Sequence, residues 1–140
     1  MIHLLSLVNA VALIIAAFVH IYWGLGGQLG LDHTIPVDQQ GKKVFEFSRI
    51  ASLAIAGGLI AISVLFLVKI GFISLGLPSW LVFYSLLAFS GIFIMRALGD
   101  FKYIGFTKKI KDTQYGHLDT KIYSPIFLII GILSLIIVLF

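Results

Sequence analysis

Residues 47–69 read FSRIASLAIAGGLIAISVLFLVK, and between Arg49 and Lys69 they hold 19 residues without a charge. A helix needs roughly 20 apolar residues to cross about 30 Å of hydrocarbon. Within hydrocarbon every backbone N–H and C=O must be bonded inside the segment, so the stretch predicts a membrane-spanning α-helix. Three further stretches share its character. Leu4–Leu25 is uncharged apart from the titratable His20, a third runs from Pro78 to Arg96, and a fourth from Pro125 to Phe140. The expected fold is all-α, a four-transmembrane-helix bundle in one integral membrane domain spanning 1–140, with helices at about 4–25, 47–68, 79–98 and 123–140.

The whole composition agrees. Of 140 residues 60% are hydrophobic and only 11% charged, with a mean hydropathy of +1.11. Soluble domains are about a quarter charged, and so few charges do not cover a water-facing surface of this size. With no cysteine, disulfides, thiolate metal sites and cysteine nucleophiles are excluded. A net charge of +4 is too small to imply nucleic acid, and none is expected as a partner.

The fourth stretch is the shortest. Its 16 residues extend only about 24 Å at the helical rise. Ile122 and Tyr123 are expected to lengthen it, or the bilayer to thin around it. Ser124 is expected to cap this helix, with Pro125 at its first position, where a missing N–H costs nothing. The first stretch lacks a preceding basic run and is too long for the core of a signal peptide, so it is expected to be retained.

Basic residues set the expected orientation. Four crossings put both termini and the Lys69–Ser79 loop on one side, where Lys69 is the one Lys or Arg, against nine on the other. Those nine are Lys42, Lys43, Arg49, Arg96, Lys102, Lys108, Lys109, Lys111 and Lys121. Basic loops stay cytoplasmic, which implies a multi-pass protein of the cell membrane, most simply a bacterial cytoplasmic membrane, with both termini outside.

Polar residues in spanning helices turn toward the bundle interior, because an unpaired polar group in lipid is costly. Positions eleven apart lie within about 20° of one helix face. Asn9 and His20 have that spacing, as do Ser52 and Ser63, and Ser85 and Arg96. The serines, and the pairs Ala54/Gly58 and Gly57/Ala61, are expected to let helices approach closely. His20 is read both as a histidine satisfied by a neighbouring carbonyl or hydroxyl and as a ligand contact. Arg96 is expected to reach the head groups; if it turns inward, Asp100 or Asp119 is there to neutralise it. Tyr22 and Trp23 suit the interface, and Trp23 also lies near the face of His20, where it would wall a pocket.

The glycines at 24, 26, 27 and 30 follow a membrane helix, fit neither common phosphate motif, and are expected to end that helix. The second basic loop mixes Phe101, Tyr103, Ile104, Phe106 and Ile110 with lysines at 102, 108, 109 and 111, a composition that lies in an anionic leaflet. No pair among His20, Asp32, His33, Asp100, His117 and Asp119 has a recognised metal-ligand spacing, so no metal is expected.

Three segments frame most of the chain: His20-Ile-Tyr-Trp-Gly-Leu-Gly-Gly27, Arg96-Ala-Leu-Gly-Asp-Phe101 with Gly105-Phe106, and Leu118-Asp-Thr-Lys-Ile-Tyr-Ser-Pro125. In these the chain resembles a bacterial domain-of-unknown-function family of small four-helix membrane proteins. The resemblance implies four helices with a cluster at one membrane face, and it carries no activity. It also implies Trp where Leu29 stands and Cys where Phe127 stands.

The leading functional expectation is a cytoplasm-facing pocket lined by His20, Trp23, Arg96, Asp100, Asp119 and Tyr123, binding a small molecule or lipid head group without chemistry. Arg96 would hold an anionic group, Asp119 would orient Arg96 or His20, and Trp23 would stack on an apolar part. The alternatives are a small transporter, which would need a second copy of the chain, a lipid- or isoprenoid-acting enzyme with His20 as acid/base, and an accessory structural subunit. Beyond such a ligand, the expected partners are anionic lipids and a homo-oligomer, and the sequence identifies no cofactor.

Overall fold

The structure, a computed structural model, describes residues 1–140 and is all-helical apart from one isolated bridge between Val37 and Lys43. Helices α1 (Ile2–Gly24), α2 (Arg49–Lys69) and α3 (Ser79–Leu98) are uninterrupted. The last rod is composite. Helix α4 (Gln114–Leu118), a π-helical turn (Asp119–Tyr123) and α5 (Ser124–Leu139) run on from one another over 26 residues. All four rods are long and apolar enough to cross a membrane, so by helix length and composition this is a multi-pass membrane protein.

The ends follow local chemistry. Ser48 caps α2 by accepting the Ala51 N–H at 3.2 Å. After α1 the Gly26 and Gly27 N–H groups bond back to the Trp23 and Tyr22 carbonyls, so the glycines close the helix as expected. The fourth rod corrects the expectation. Ser124 has helical dihedrals and caps nothing; the cap is Thr113, whose hydroxyl accepts the Gly116 N–H at 2.9 Å. Pro125 therefore lies inside a continuous helix. It lacks the N–H that would bond the Lys121 carbonyl, and its ring crowds that carbonyl. The helix answers by widening just ahead of it, with the Ser124 N–H bonded to the Asp119 carbonyl five residues back. The composite rod of 26 residues is long and apolar enough to cross a membrane.

α1 packs along α2 and α3 along α5, with sparser contact between the two pairs. The joint core holds Leu13, Ala17, Ala56, Leu59, Phe66, Leu86, Phe89 and Ile137 among others. These residues come from the middle of α1, the middle and later turns of α2, the first half of α3 and the last turns of α5, so the core fills the middle of the bundle and the end bearing the chain termini. There Asn9 donates to Ser134 Oγ at 3.1 Å, and Ser90 donates to the Gly131 carbonyl at 2.7 Å. Gly131 lets α3 and α5 meet closely, since a Cβ there would sit 2.8 Å from Ile94. On α3 it is Ser90 that is fully buried, with Ser85 only half-buried. The small pairs of α2 do not serve the bundle: Ala54, Gly57, Gly58 and Ala61 are all exposed, and the close α1–α2 packing rests on Ala10, Ala17 and Ala56 instead.

Only 29 of 140 residues are buried, and exposed Ile15, Phe18, Ile50, Ile92 and Ile129 ring the bundle. Such a surface is stable against lipid tails and not against water. Toward the basic loops the two helix pairs separate, and a cavity opens between them.

Candidate functional site

The cavity rests on a buried ionic cluster built around Asp119, whose side chain is 0% exposed. The π-helical turn before Pro125 begins at Asp119. One carboxylate oxygen, Oδ2, accepts from Lys108 Nζ at 3.0 Å and from the Gly105 N–H at 2.7 Å. The other, Oδ1, accepts from Arg96 Nη2 at 3.1 Å. Lys108 Nζ also donates to the Gly105 carbonyl at 2.9 Å and to Thr120 Oγ1 at 2.6 Å. An ammonium has three donors, and all three are used. Tyr115 OH accepts from Arg96 Nη2 at 3.0 Å and lies 3.5 Å from the carboxylate.

The loop that carries Lys108 inward is held by two glycines. Gly99 and Gly105 have φ of +97° and +83°, a region that disfavours residues with a Cβ. A Cβ on Gly99 would overlap the Ile104 carbonyl, and one on Gly105 would overlap Gly99 and the Leu98 carbonyl. This close crossing is what presents the Gly105 N–H to Asp119.

Arg96 joins the cluster to the cavity. Two of its partners lie in the cluster, its guanidinium carbon sits 4.7 Å over the Phe127 ring, and Nη1 is buried with no hydrogen-bond partner. Its side chain retains 26% exposure, and it lines a cavity of about 590 Å³ together with His20, Trp23, Glu46, Ile55, Tyr123 and Phe127. Twelve of the 18 lining residues are hydrophobic. The site is therefore a largely apolar chamber with one guanidinium, Arg96, and one exposed carboxylate, Glu46, in its wall.

His20 is fixed by α2. Ser52 Oγ donates to the His20 carbonyl at 2.9 Å, and His20 Nδ1 lies 3.3 Å from the same oxygen. A hydroxyl has a single proton, here given to the carbonyl, so Nδ1 carries the ring proton and a neutral His20 keeps Nε2 as a free acceptor. Trp23 packs edge-on to the imidazole at 5.3 Å and donates Nε1–H to the Leu29 carbonyl at 2.9 Å. Trp23 is buried, so it walls the chamber and does not anchor at the interface, where the exposed Tyr22 remains. Tyr123 reaches across to donate to the His33 carbonyl at 3.3 Å.

Of the six residues expected to meet, His20, Trp23, Arg96 and Tyr123 line the chamber. Asp119 lies behind its wall, holding Arg96 and not His20. Asp100 is elsewhere: Oδ1 accepts the N–H groups of Lys102, Tyr103 and Ile104 at 2.7–2.9 Å in the exposed turn after α3. Its slight burial works to raise its pKa, but these backbone donors outweigh burial and hold the carboxyl below its ordinary value. Arg96 turns inward and does not snorkel, and Asp119 neutralises it. Lys108, grouped by the sequence with surface lysines, is 1% exposed. Lys108 and Tyr115 carried no sequence signal beyond their types, and Ser52 was placed on an inward stripe without its link to His20. Asp32 pairs with Lys43 at 2.7 Å, and His117 is exposed, so neither meets the chamber.

No curated protein and no solved structure matches the chain. A family profile described as "Protein of unknown function (DUF3995)" matches residues 13–134, which takes in every residue of the cluster and of the chamber wall. The chain belongs to that domain family, DUF3995.

Proposed function

We propose that the protein binds a small molecule or lipid head group carrying negative charge, held at Arg96 inside the chamber between its two helix pairs. One observation carries this reading. Arg96 and Lys108 share a single carboxylate, Asp119, and of these two cations Arg96 alone lines the chamber. A cation in excess of its counter-ion on an apolar wall attracts negative charge, and an anionic ligand meets it with charge-assisted hydrogen bonds. Lys108 and Asp119 position Arg96; His20 Nε2 offers an acceptor on the opposite wall.

The basic loops put the mouth at the cytoplasmic face, with both termini outside, and their remaining lysines hold that end against anionic lipids. Transport through a single copy gains no support, because the core closes the half of the bundle near the termini. An acid–base role for His20 oriented by Asp119 gains none either, since the two side chains bond different partners.

The test is to purify the protein in mild detergent and identify co-purifying molecules by native mass spectrometry and extraction. The expected result is an anionic compound enriched over the bulk membrane extract and lost from Arg96→Gln. A wild-type protein carrying only the bulk lipid mixture, unchanged in the variant, would count against the proposal.

A further inference from the structure

We infer that the occupant is a one-chain amphiphile with a single negative charge, which comes sideways out of the leaflet with its head at Arg96 and its chain in the chamber. The inference rests on the anion site proposed above and names the class of molecule that fits it.

The number of chains follows from volume. At about 30 Å³ for each water-sized group, 590 Å³ has room for roughly 20 such groups, enough for one acyl chain of about 16 carbons and a small head group. A two-chain phospholipid needs about twice that space. A short soluble anion would leave most of an apolar chamber facing nothing, with no chain to cover Ala16, Ile55, Ile126 and Phe127.

The route follows from exposure. Val19, Ile55 and Ile126 line the chamber, and each remains 41–49% exposed on the sides of the helix bundle. An opening rimmed by aliphatic side chains, between rods that are themselves lipid-facing, suits a hydrocarbon chain sliding in from the bilayer. The termini end is shut by the core and the Asn9–Ser134 bond, so the chain stops within the chamber.

The charge follows from counting the fixed groups. Two cations and one carboxylate at the cluster leave one positive charge to be matched. Glu46, exposed on the loop side, lines the same chamber and opposes a second negative charge on the ligand. A carboxylate or a singly ionised phosphate monoester satisfies both conditions, and Arg forms charge-assisted bonds with either.

The experiment uses the full chain in neutral detergent, with native mass spectrometry reading the bound fraction of added probes. The probes are hexadecanoate, hexadecyl phosphate, hexadecanol, hexanoate and dihexadecanoyl phosphatidate. Hexadecanoate or hexadecyl phosphate should bind one per chain, and the stronger of the two identifies the head group. Hexadecanol, hexanoate and phosphatidate should each bind at least about tenfold more weakly. The variant Ile55→Trp, placed at the exposed rim where it leaves the core intact, should lose the long-chain anions by a similar factor. Phosphatidate or hexanoate binding as well as hexadecanoate, with Arg96 still required, overturns the one-chain assignment while the anion site stands. Undiminished hexadecanoate binding to Ile55→Trp overturns it as well. Absence of Arg96-dependent binding for every anion overturns both readings.

Discussion

Lys108 and Asp119 form an ion pair from which water is shut out: Nζ lies 3.0 Å from Oδ2 and both side chains are 0% exposed. The ammonium has no spare donor, and the carboxylate also serves Arg96 and the Gly105 N–H. The pair is thus the keystone between the loop after α3 and the start of the last rod. Such a pair adds little over a well-packed apolar pair, yet removing one member leaves a buried charge without its partner.

Asp119→Asn should therefore destabilise the fold by about 3–5 kcal/mol, and Lys108→Met by a similar amount. The double variant should lose clearly less than the sum, because each change removes what the other leaves stranded. Reversible unfolding in mixed micelles measures all three. Additive losses would mean that the two groups do not depend on each other.

Pro125 should act on the site through the backbone. With Pro125→Ala the missing N–H returns, the clash with the Lys121 carbonyl disappears, and the π-helical turn can relax to an α-helix. One residue fewer in the widened turn rotates Asp119 by about 100° relative to α5. With Asp119 turned away from Lys108 and Arg96, the variant should lose both anion binding at Arg96 and part of the stability that the buried pair secures. Unchanged binding would show that the turn keeps its form without proline.

Asn9 belongs to the closed half of the bundle, eleven residues and about 16 Å along α1 from His20. Its partner Ser134 keeps a second bond, 2.6 Å to the Ile130 carbonyl. Asn9→Ala should then cost only about 1 kcal/mol, the usual scale for a hydrogen bond between membrane helices. Ligand binding should be unaffected. A binding defect here would mean that the chamber reaches further toward the termini than its lining residues do.

The four rods were legible because hydrocarbon imposes a strong rule on composition, and runs such as Leu4–Leu25 obey it. His20 and Arg96 were legible as candidates for the same reason: each is a costly exception within an apolar run. What could not be read is what depends on loop backbone. Lys108 lies among four lysines of one loop, and only the Gly99–Gly105 crossing selects it for burial. Asp100 and Asp119 looked equivalent as partners for Arg96, until backbone N–H groups claimed one of them. Pro125 fits a helix start as well as it fits the interior of a widened turn. The clue was the shortness of the run after it, which a membrane span does not tolerate and which the preceding residues make good.

Asp100 gives the pH prediction. Its carboxyl is held below its ordinary value of 3.8, with the backbone donors of Ile104, Lys102 and Tyr103 outweighing its slight burial. A group whose pKa falls on folding stabilises the fold while ionised, and that contribution vanishes as pH drops through the folded value. Asp100→Asn keeps an acceptor oxygen but has no charge to lose. The wild type should melt higher than the variant by a constant margin from neutrality down to about pH 5. The margin should shrink once the pH passes below 3.8. Every other carboxyl is common to both proteins and cancels in the difference. Melting curves of the pair in one detergent across this range measure the effect. A margin that grows on acidification would reverse the sign and show that the turn prefers the protonated acid.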